Sequence, residues 1–288
     1  GGSNTTLIEF QFNDEPVSLL TYSSTEFSFV RHVDTVNLMP MWTGGAPVSW
    51  AIYPFPSAGL TFTQGNIQGV PSVTMPPTPY TVWANNTGGS SSVTFTMSIL
   101  DQTPVNISWG DESVIAFAVN TDVQLNVTND GPIVTSWEVD PRLPTGLSLS
   151  TDGNIHGTPL LGTPWQEYRL WANNSGGSFT TTLTLAVHDL ELDWQNITAG
   201  VGTLNYGSST TPSQILPLGE WSFPIAVNPD DEPIISASHA GQGRVVGFGH
   251  ESMVAKQGGS NETTLSLNAI QWACDGFEKV VGVQEDYD

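Results

Sequence analysis

The chain has 288 residues, of which 28 are acids and 6 are Lys or Arg, giving a net charge of −22. That balance excludes nucleic acid as a partner, because phosphates need a basic surface. A lone Cys274 excludes an internal disulfide, so packed cores must supply the stability, and no apolar run reaches membrane-spanning length.

The chain opens on Gly1-Gly2-Ser3-Asn4, and Gly-Gly-Ser recurs inside Trp83-Ala84-Asn85-Asn86-Thr87-Gly88-Gly89-Ser90 and Trp171-Ala172-Asn173-Asn174-Ser175-Gly176-Gly177-Ser178. Apolar residues follow in one register each time. Val93, Phe95, Met97 and Ile99 correspond to Thr181, Leu183, Leu185 and Val187, and both sets to Thr6, Ile8, Phe10 and Phe12. A period of two with one apolar face predicts a half-buried strand. The three strands end at Asp14, Asp101 and Asp189. Residues 1–14 therefore read as the last strand of a preceding repeat, 15–101 and 102–189 as two complete repeats, and the chain as a window cut from something longer. Ile8, Phe10 and Phe12 predict an assembly strand that completes a sandwich of a neighbouring copy, since leaving three such side chains in water would cost roughly 1.5–3 kcal/mol each.

The repeat period is 87 to 88 residues: Gly65-Asn66-Ile67 returns as Gly153-Asn154-Ile155, and Trp50 returns as Trp137. Short alternating strands separated by Gly, Pro and Asn clusters predict all-β sandwiches. Tyr80 to Ala84 runs into Asn-Asn-Thr-Gly-Gly, residues that tolerate positive φ, which predicts a hairpin. Trp83 and Trp171 serve either as sugar-stacking platforms or as hydrophobic cover at a strand edge or domain junction, and the second is the commoner use.

In the second repeat, Leu143-Pro144-x-Gly146-Leu147-Ser148-Leu149, then Asp152-Gly153-Asn154-Ile155-x-Gly157-Thr158-Pro159, Tyr168 and Gly176-Gly177-Ser178 resemble the cadherin-like Ig repeats (He_PIG) of microbial surface proteins. The first repeat departs from that pattern, with Pro56-Ser57-Ala58-Gly59-Leu60 and Gln64. The resemblance implies spacer, adhesive or assembly modules outside the cell.

After Asp189 the pattern changes. Ile234 to Ala237 and Arg244 to Phe248 predict buried strands, and Asn261 to Cys274 predicts a helix capped by Ser260 or Asn261, with Leu265, Ala269 and Trp272 on one face and Gly276 ending it. Strand, turn and helix together predict an α/β unit over 190–288. Trp221-x-Phe223-Pro224-Ile225-Ala226-Val227, Gly241 to Glu251, and Asn268-Ala269-x-x-Trp272 are similar to the glutamine-amidotransferase-like domain found beside enhancin-like metallopeptidases. That resemblance implies a binding or scaffolding domain, here incomplete. The predicted fold class is thus mainly β: tandem Ig-like/cadherin-like β-sandwiches followed by a partial α/β domain.

Catalytic constellations fail on inspection. His250-Glu251 lacks the second His that a zinc-peptidase helix needs, because position 254 is Val. Cys274 falls in the apolar helix pattern and reads as a buried inert thiol. Gly241-x-Gly243-Arg244 is too short for a dinucleotide fingerprint and reads as a tight turn. Asp189, Glu191 and Asp193 alternate and would share one face of an extended junction, a hard-oxygen array that suits Ca²⁺; a solvated acidic linker is the alternative. No other cofactor is indicated. Seven sequons, at Asn4, Asn85, Asn106, Asn126, Asn173, Asn196 and Asn261, favour an exported glycoprotein. The expectation is a non-enzymatic, extracellular or cell-surface structural protein, acting in spacing, adhesion or self-assembly into filaments or a surface layer. Its partners would be copies of itself or other surface proteins, with glycans as a further class. The alternative is an accessory region of a secreted hydrolase whose catalytic domain lies outside the chain.

Overall fold

The computed structural model describes residues 1–110, 113–205, 211–250 and 260–274. The first repeat carries β1 (Val17–Thr21), β2 (Glu26–Val30), β3 (Val36–Leu38), β4 (Met41–Gly44), β5 (Ser49–Tyr53), β6 (Leu60–Thr63), β7 (Asn66–Gly69), β8 (Met75–Asn86) and β9 (Gly89–Leu100). The second carries β10 (Ile107–Ser108), β11 (Val114–Ala118), β12 (Val123–Leu125), β13 (Thr128–Asn129), β14 (Ser136–Asp140), β15 (Leu147–Leu149), β16 (Ile155–Gly157), β17 (Thr163–Asn174) and β18 (Gly177–His188). Then come α1 (Leu190–Thr198), β19 (Ser222–Val227), β20 (Pro233–Ala240), β21 (Gly243–Phe248) and α2 (Asn261–Cys274).

The two repeats share one topology. Sheets ordered β2-β9-β8-β5, β3-β7-β6 and β1-β4 recur as β11-β18-β17-β14, β12-β16-β15 and β10-β13. In each, the second strand runs parallel to the last, as Glu26–Val30 does along Thr96–Leu100 and Val114–Ala118 along Thr184–His188. The molecule is mainly β and Ig-like. The first core gathers Val36, Ile67, Tyr80, Val82, Ala84, Phe95, Met97 and Ile99, the alternate residues of the long hairpin facing those of the opposing sheet. Trp83 and Trp171 lie half-buried on interior strands, so they cover a sheet face rather than an edge.

Sequence periodicity overlooked one internal equivalence. The Tyr22 hydroxyl donates to the Gly65 carbonyl, and 87 residues on, Trp109 Nε1 donates to the Gly153 carbonyl at 2.6 Å. A phenol and an indole thus hold the same glycine turn. Trp109→Phe is expected to destabilise by about 1–2 kcal/mol, because the ring stays packed while the buried Gly153 carbonyl loses its donor. Urea unfolding of the variant checks this, and an unchanged midpoint would mean that water replaces the indole.

The repeated Asn-Asn-Thr/Ser-Gly-Gly phrase is explained by what it grips. Asn86 Oδ1 accepts from the Gly88 and Gly89 amides, shaping the turn, while Asn86 Nδ2 donates to the Glu15 carbonyl at 2.7 Å. Thr87 Oγ1 bonds Asp14 through both backbone amide (2.9 Å) and carboxylate (2.7 Å). The second repeat reproduces this: Asn174 Nδ2 donates to the Gln102 carbonyl at 2.6 Å, and Ser175 Oγ bonds the Asp101 amide and carboxylate at 2.8 and 2.9 Å. A Cβ on Gly88 or Gly176 would stand 2.0 Å from the carbonyl oxygen of Asp14 or Asp101, so each hairpin needs glycine where the preceding linker crosses it.

Residues 1–16 form no strand, and Ile8, Phe10 and Phe12 are exposed. Within the chain, β9, the strand homologous to 1–14, is flanked by β8 and β2, so residues 1–14 take no place beside it.

By compactness the chain divides into two units. One holds Gly1–Ser108, Thr128–Trp137 and Trp171–Thr180; the other holds Trp109–Val127, Glu138–Leu170 and Thr181–Asp288. In the latter, β19-β20-β21 is an antiparallel sheet with α1 and α2 against it, around Ile197, Phe223, Ile225, Ile234, Ile235, Leu265, Ala269 and Trp272. Helix α2 begins as its sequence predicts, with Ser260 Oγ accepting from the Thr263 amide, whereas Gly276 lies outside the described residues. Strands and helices pack together as the α/β expectation for 190–288 has it, and the sheet runs antiparallel. The link from β19 to β20 is a turn closed by Asn228 and Glu232, far too short for the crossover helix that parallel strands need.

Candidate binding site

All the residues of the site belong to the second unit. Strand β18 ends at His188, and the chain turns directly into α1. Asp189 caps that helix, its Oδ1 accepting from the Leu192 amide at 3.0 Å. A capping acid, further acids in the first turn, and Leu190 and Ile197 seven residues apart on the buried face all favour a helix here.

The acidic triplet is thereby separated, which corrects the extended Ca²⁺ array. Asp189 caps the helix, Glu191 accepts from Gln195 one turn on at 2.9 Å, and Asp193 points into the protein. No group of three His, Cys, Asp or Glu set to hold a metal ion occurs among the described residues. At the equivalent linker, Asp101 meets Arg31 Nε at 2.6 Å and Ser175 at its other oxygen, so its charge is already matched.

Asp193 organises the site. Its Oδ2 accepts from His239 Nε2 at 2.7 Å and its Oδ1 from Trp272 Nε1 at 2.7 Å. Burial pushes this carboxyl up, but the two hydrogen bonds and the nearby Arg244 outweigh burial and hold it below the usual range. Strand β20 delivers His239, and the two-residue Gly241-Gln242 turn sends Arg244 back directly opposite it. The Arg244 guanidinium lies 5.0 Å above the Trp272 ring, and its Nη1 donates to the Trp272 carbonyl at 2.7 Å in the last turn of α2.

His188 stacks on His239, centroids 3.8 Å apart and planes 17° from parallel. Trp165 and Trp221 meet it edge-on at 5.8 and 5.0 Å. The ring is 6% exposed, and among the described residues its Nε2 has no hydrogen-bond partner. Burial, then the neighbouring His239 charge, lowers its pKa to about 4, against a smaller opposing pull from Asp193. His188 is therefore neutral at pH 7.

Sequence reasoning singled out Asp193 and placed Trp272 on a buried face, but missed His188, His239, Trp165, Trp221 and Arg244. The available signal was His188 directly before a capping Asp, with a second Asp one helical turn on. The other candidates do not converge here. His250 lies two residues past β21, Cys274 ends α2 half-buried, and Glu251 falls outside the described residues. Of the sequons, Asn85 and Asn173 accept from Ser90 and Ser178 across their hairpins at 2.6 and 2.5 Å, and Asn261 bonds Gly202 and Thr203. Asn4, Asn106, Asn126 and Asn196 are exposed.

Residues 97–188 match the family model described as "Putative Ig domain", in agreement with the resemblance of the second repeat. Residues 178–288, which include the site apart from Trp165, match the model described as "TRPM8, N-terminal domain" instead of an amidotransferase-like family. Among curated proteins, a TRPM8 channel-associated factor homolog of Danio rerio is 36% identical over 97 residues, 33% of this chain and 10% of that protein. TRPM8 channel-associated factor 3 of Rattus norvegicus is 38% identical over 84 residues, 29% of this chain and 9% of that protein. The chain thus spans about a tenth of the length of the curated relatives it matches. Among solved structures, the N-terminal four Ig domains of Dscam1 align with a TM-score of 0.37 at 14% identity, covering 64% of this chain and 48% of theirs.

These relatives overturn the expected role. Proteins named as channel-associated factors replace the extracellular adhesive or filament-forming spacer, and equally the accessory region of a secreted hydrolase. The expected partners, copies of the chain, surface proteins or glycans, and the cell-surface location fall with it. Tandem Ig-like repeats had carried those inferences, yet the fold is compatible with many functions. None of these relatives is named as an enzyme, in keeping with a non-enzymatic chain.

Proposed function

We propose that this chain is a non-enzymatic binding region of a channel-associated regulatory protein, whose C-terminal α+β domain associates with an ion channel of the TRPM8 type. One observation carries the reading: the family match over 178–288 takes in α1, the three-stranded sheet, α2 and most of the histidine and tryptophan cluster. The buried cluster fixes α1, β20, β21 and α2 against one another, and a rigid surface binds with less ordering cost than a mobile one.

The test is capture of detergent-solubilised TRPM8 by the tagged chain, with an unrelated tandem Ig protein of similar acidity as control. Retention above that control at micromolar chain is the expected result. Equal retention of channel by both would refute the assignment, since acidity alone would then explain it.

A further inference from the structure

Beside the histidine pair lies a cavity of about 520 Å³, lined by Thr163, Pro164, Trp165, His188, Leu192 and Arg244 among others. Two of its lining residues carry buried polar atoms that have no hydrogen-bond partner among the described residues, His188 Nε2 and Thr163 Oγ1. Buried polar atoms are nearly always satisfied, so two orphans at one cavity indicate a missing partner. The inventory of unspent groups states what that partner must offer. Asp193 is used at both oxygens, on His239 and Trp272, and Asp189 is engaged through Oδ1 on the α1 cap. Arg244 spends Nη1 on the Trp272 carbonyl, and among the described residues its remaining N–H groups have no acceptor. Neutral His188 can present an N–H at Nε2, and Thr163 has a hydroxyl.

The inward-facing unspent groups therefore include a guanidinium, a hydroxyl and an imidazole N–H, all able to donate, with the exposed Asn196 and Gln242 amides at the rim. A planar anion complements such a set, with charge-assisted bonds to the guanidinium. One cation in a chain of net charge −22 favours a monoanion over a phosphate dianion. Half-buried Trp165, with Pro164 and Leu192, supplies apolar wall for the rest of the ligand.

We propose that this cavity binds an organic carboxylate with a flat apolar body, held by Arg244, His188 and Thr163 with its body against Trp165. The carboxylate comes from either a free organic acid or the C-terminus of a peptide.

The experiment titrates the full chain with benzoate and with its neutral isostere benzamide, following the tryptophan indole N–H resonances. A short peptide ending in Phe and its C-terminal amide form the second pair of probes. Saturable binding is expected for the acids, at least about tenfold tighter than for the amides. Arg244→Gln should weaken the acids about tenfold. Thr163→Val, which removes the buried hydroxyl at nearly equal volume, should weaken them a few-fold with the fold retained by circular dichroism. Tighter binding of the peptide acid than of benzoate assigns the source to a peptide, and the reverse to a free acid. Equal binding of acid and amide, absence of saturation, or full affinity in folded Thr163→Val and Arg244→Gln variants would overturn the proposal.

Discussion

Replacing Asp193 with Ala is expected to destabilise the second unit by about 3 kcal/mol or more, the largest effect anticipated for any side chain of the site. The carboxylate is the acceptor for two donors on different elements, His239 Nε2 and Trp272 Nε1, and both of those residues are buried. Removing it leaves two unsatisfied donors at about 1–3 kcal/mol each and an unscreened Arg244 nearby. Asp193→Asn retains one acceptor oxygen, so it should cost less than Ala. The measurement is urea unfolding followed by tryptophan emission, to which Trp165, Trp221 and Trp272 contribute among the ten tryptophans of the chain. Equal costs for Asn and Ala would show that the carboxylate acts by charge alone and not as a double acceptor.

Acid should loosen the same unit through His188. In the folded protein its pKa is about 4, against an ordinary value near 6.5 in the unfolded chain. The unfolded state therefore takes up this proton first. Stability from His188 is complete above about pH 6.5 and is lost progressively as the pH falls toward 4. Allowing for the part of the ring edge that lies near the cavity, the loss is roughly 2 kcal/mol. Asp193, whose pKa is held low, adds a further loss only below the ordinary carboxylate range, so the two contributions separate along the pH axis. His188→Phe keeps an aromatic ring in the stack and removes the titration. Its unfolding midpoint should be the flatter of the two between pH 6.5 and 4.5. Parallel profiles for the parent chain and the variant would assign the acid sensitivity to other groups.

Both effects arise where sequence reasoning was weakest, and the reason is physical. Alternation of Asp189, Glu191 and Asp193 satisfied a strand period, but a capping Asp and the Leu190–Ile197 spacing satisfied a helix, and burial against the β19-β20-β21 sheet decided between them. The position of His188 before a capping Asp marked a helix start but not a site, because its role depends on His239, 51 positions away, and on Trp165 and Trp221. Residues 1–14 matched the closing strands of the repeats faithfully in pattern, yet a strand forms only beside an available edge.

What the sequence determined by itself were the features written in local chemistry and period. These are the repeat and its length, the half-buried hairpins, the turn built from Asn-Asn-Thr/Ser-Gly-Gly, and the α2 helix with its Leu265, Ala269 and Trp272 face. Each follows from backbone preference and from which side of an element is apolar, and these are properties of neighbouring residues. Tertiary structure alone decided which distant groups meet. It made Tyr22 and Trp109 equivalent through the glycine carbonyl each holds, turned the hairpin phrase into a grip on Asp14 and Asp101, and gave the third acid of that series to a helix cap. It also ran the last sheet antiparallel and brought His188, Asp193, His239, Arg244 and Trp272 from five elements into one cluster. Such contacts are set by the register of strands far apart in the chain, and a one-dimensional pattern carries the register within an element but not between them.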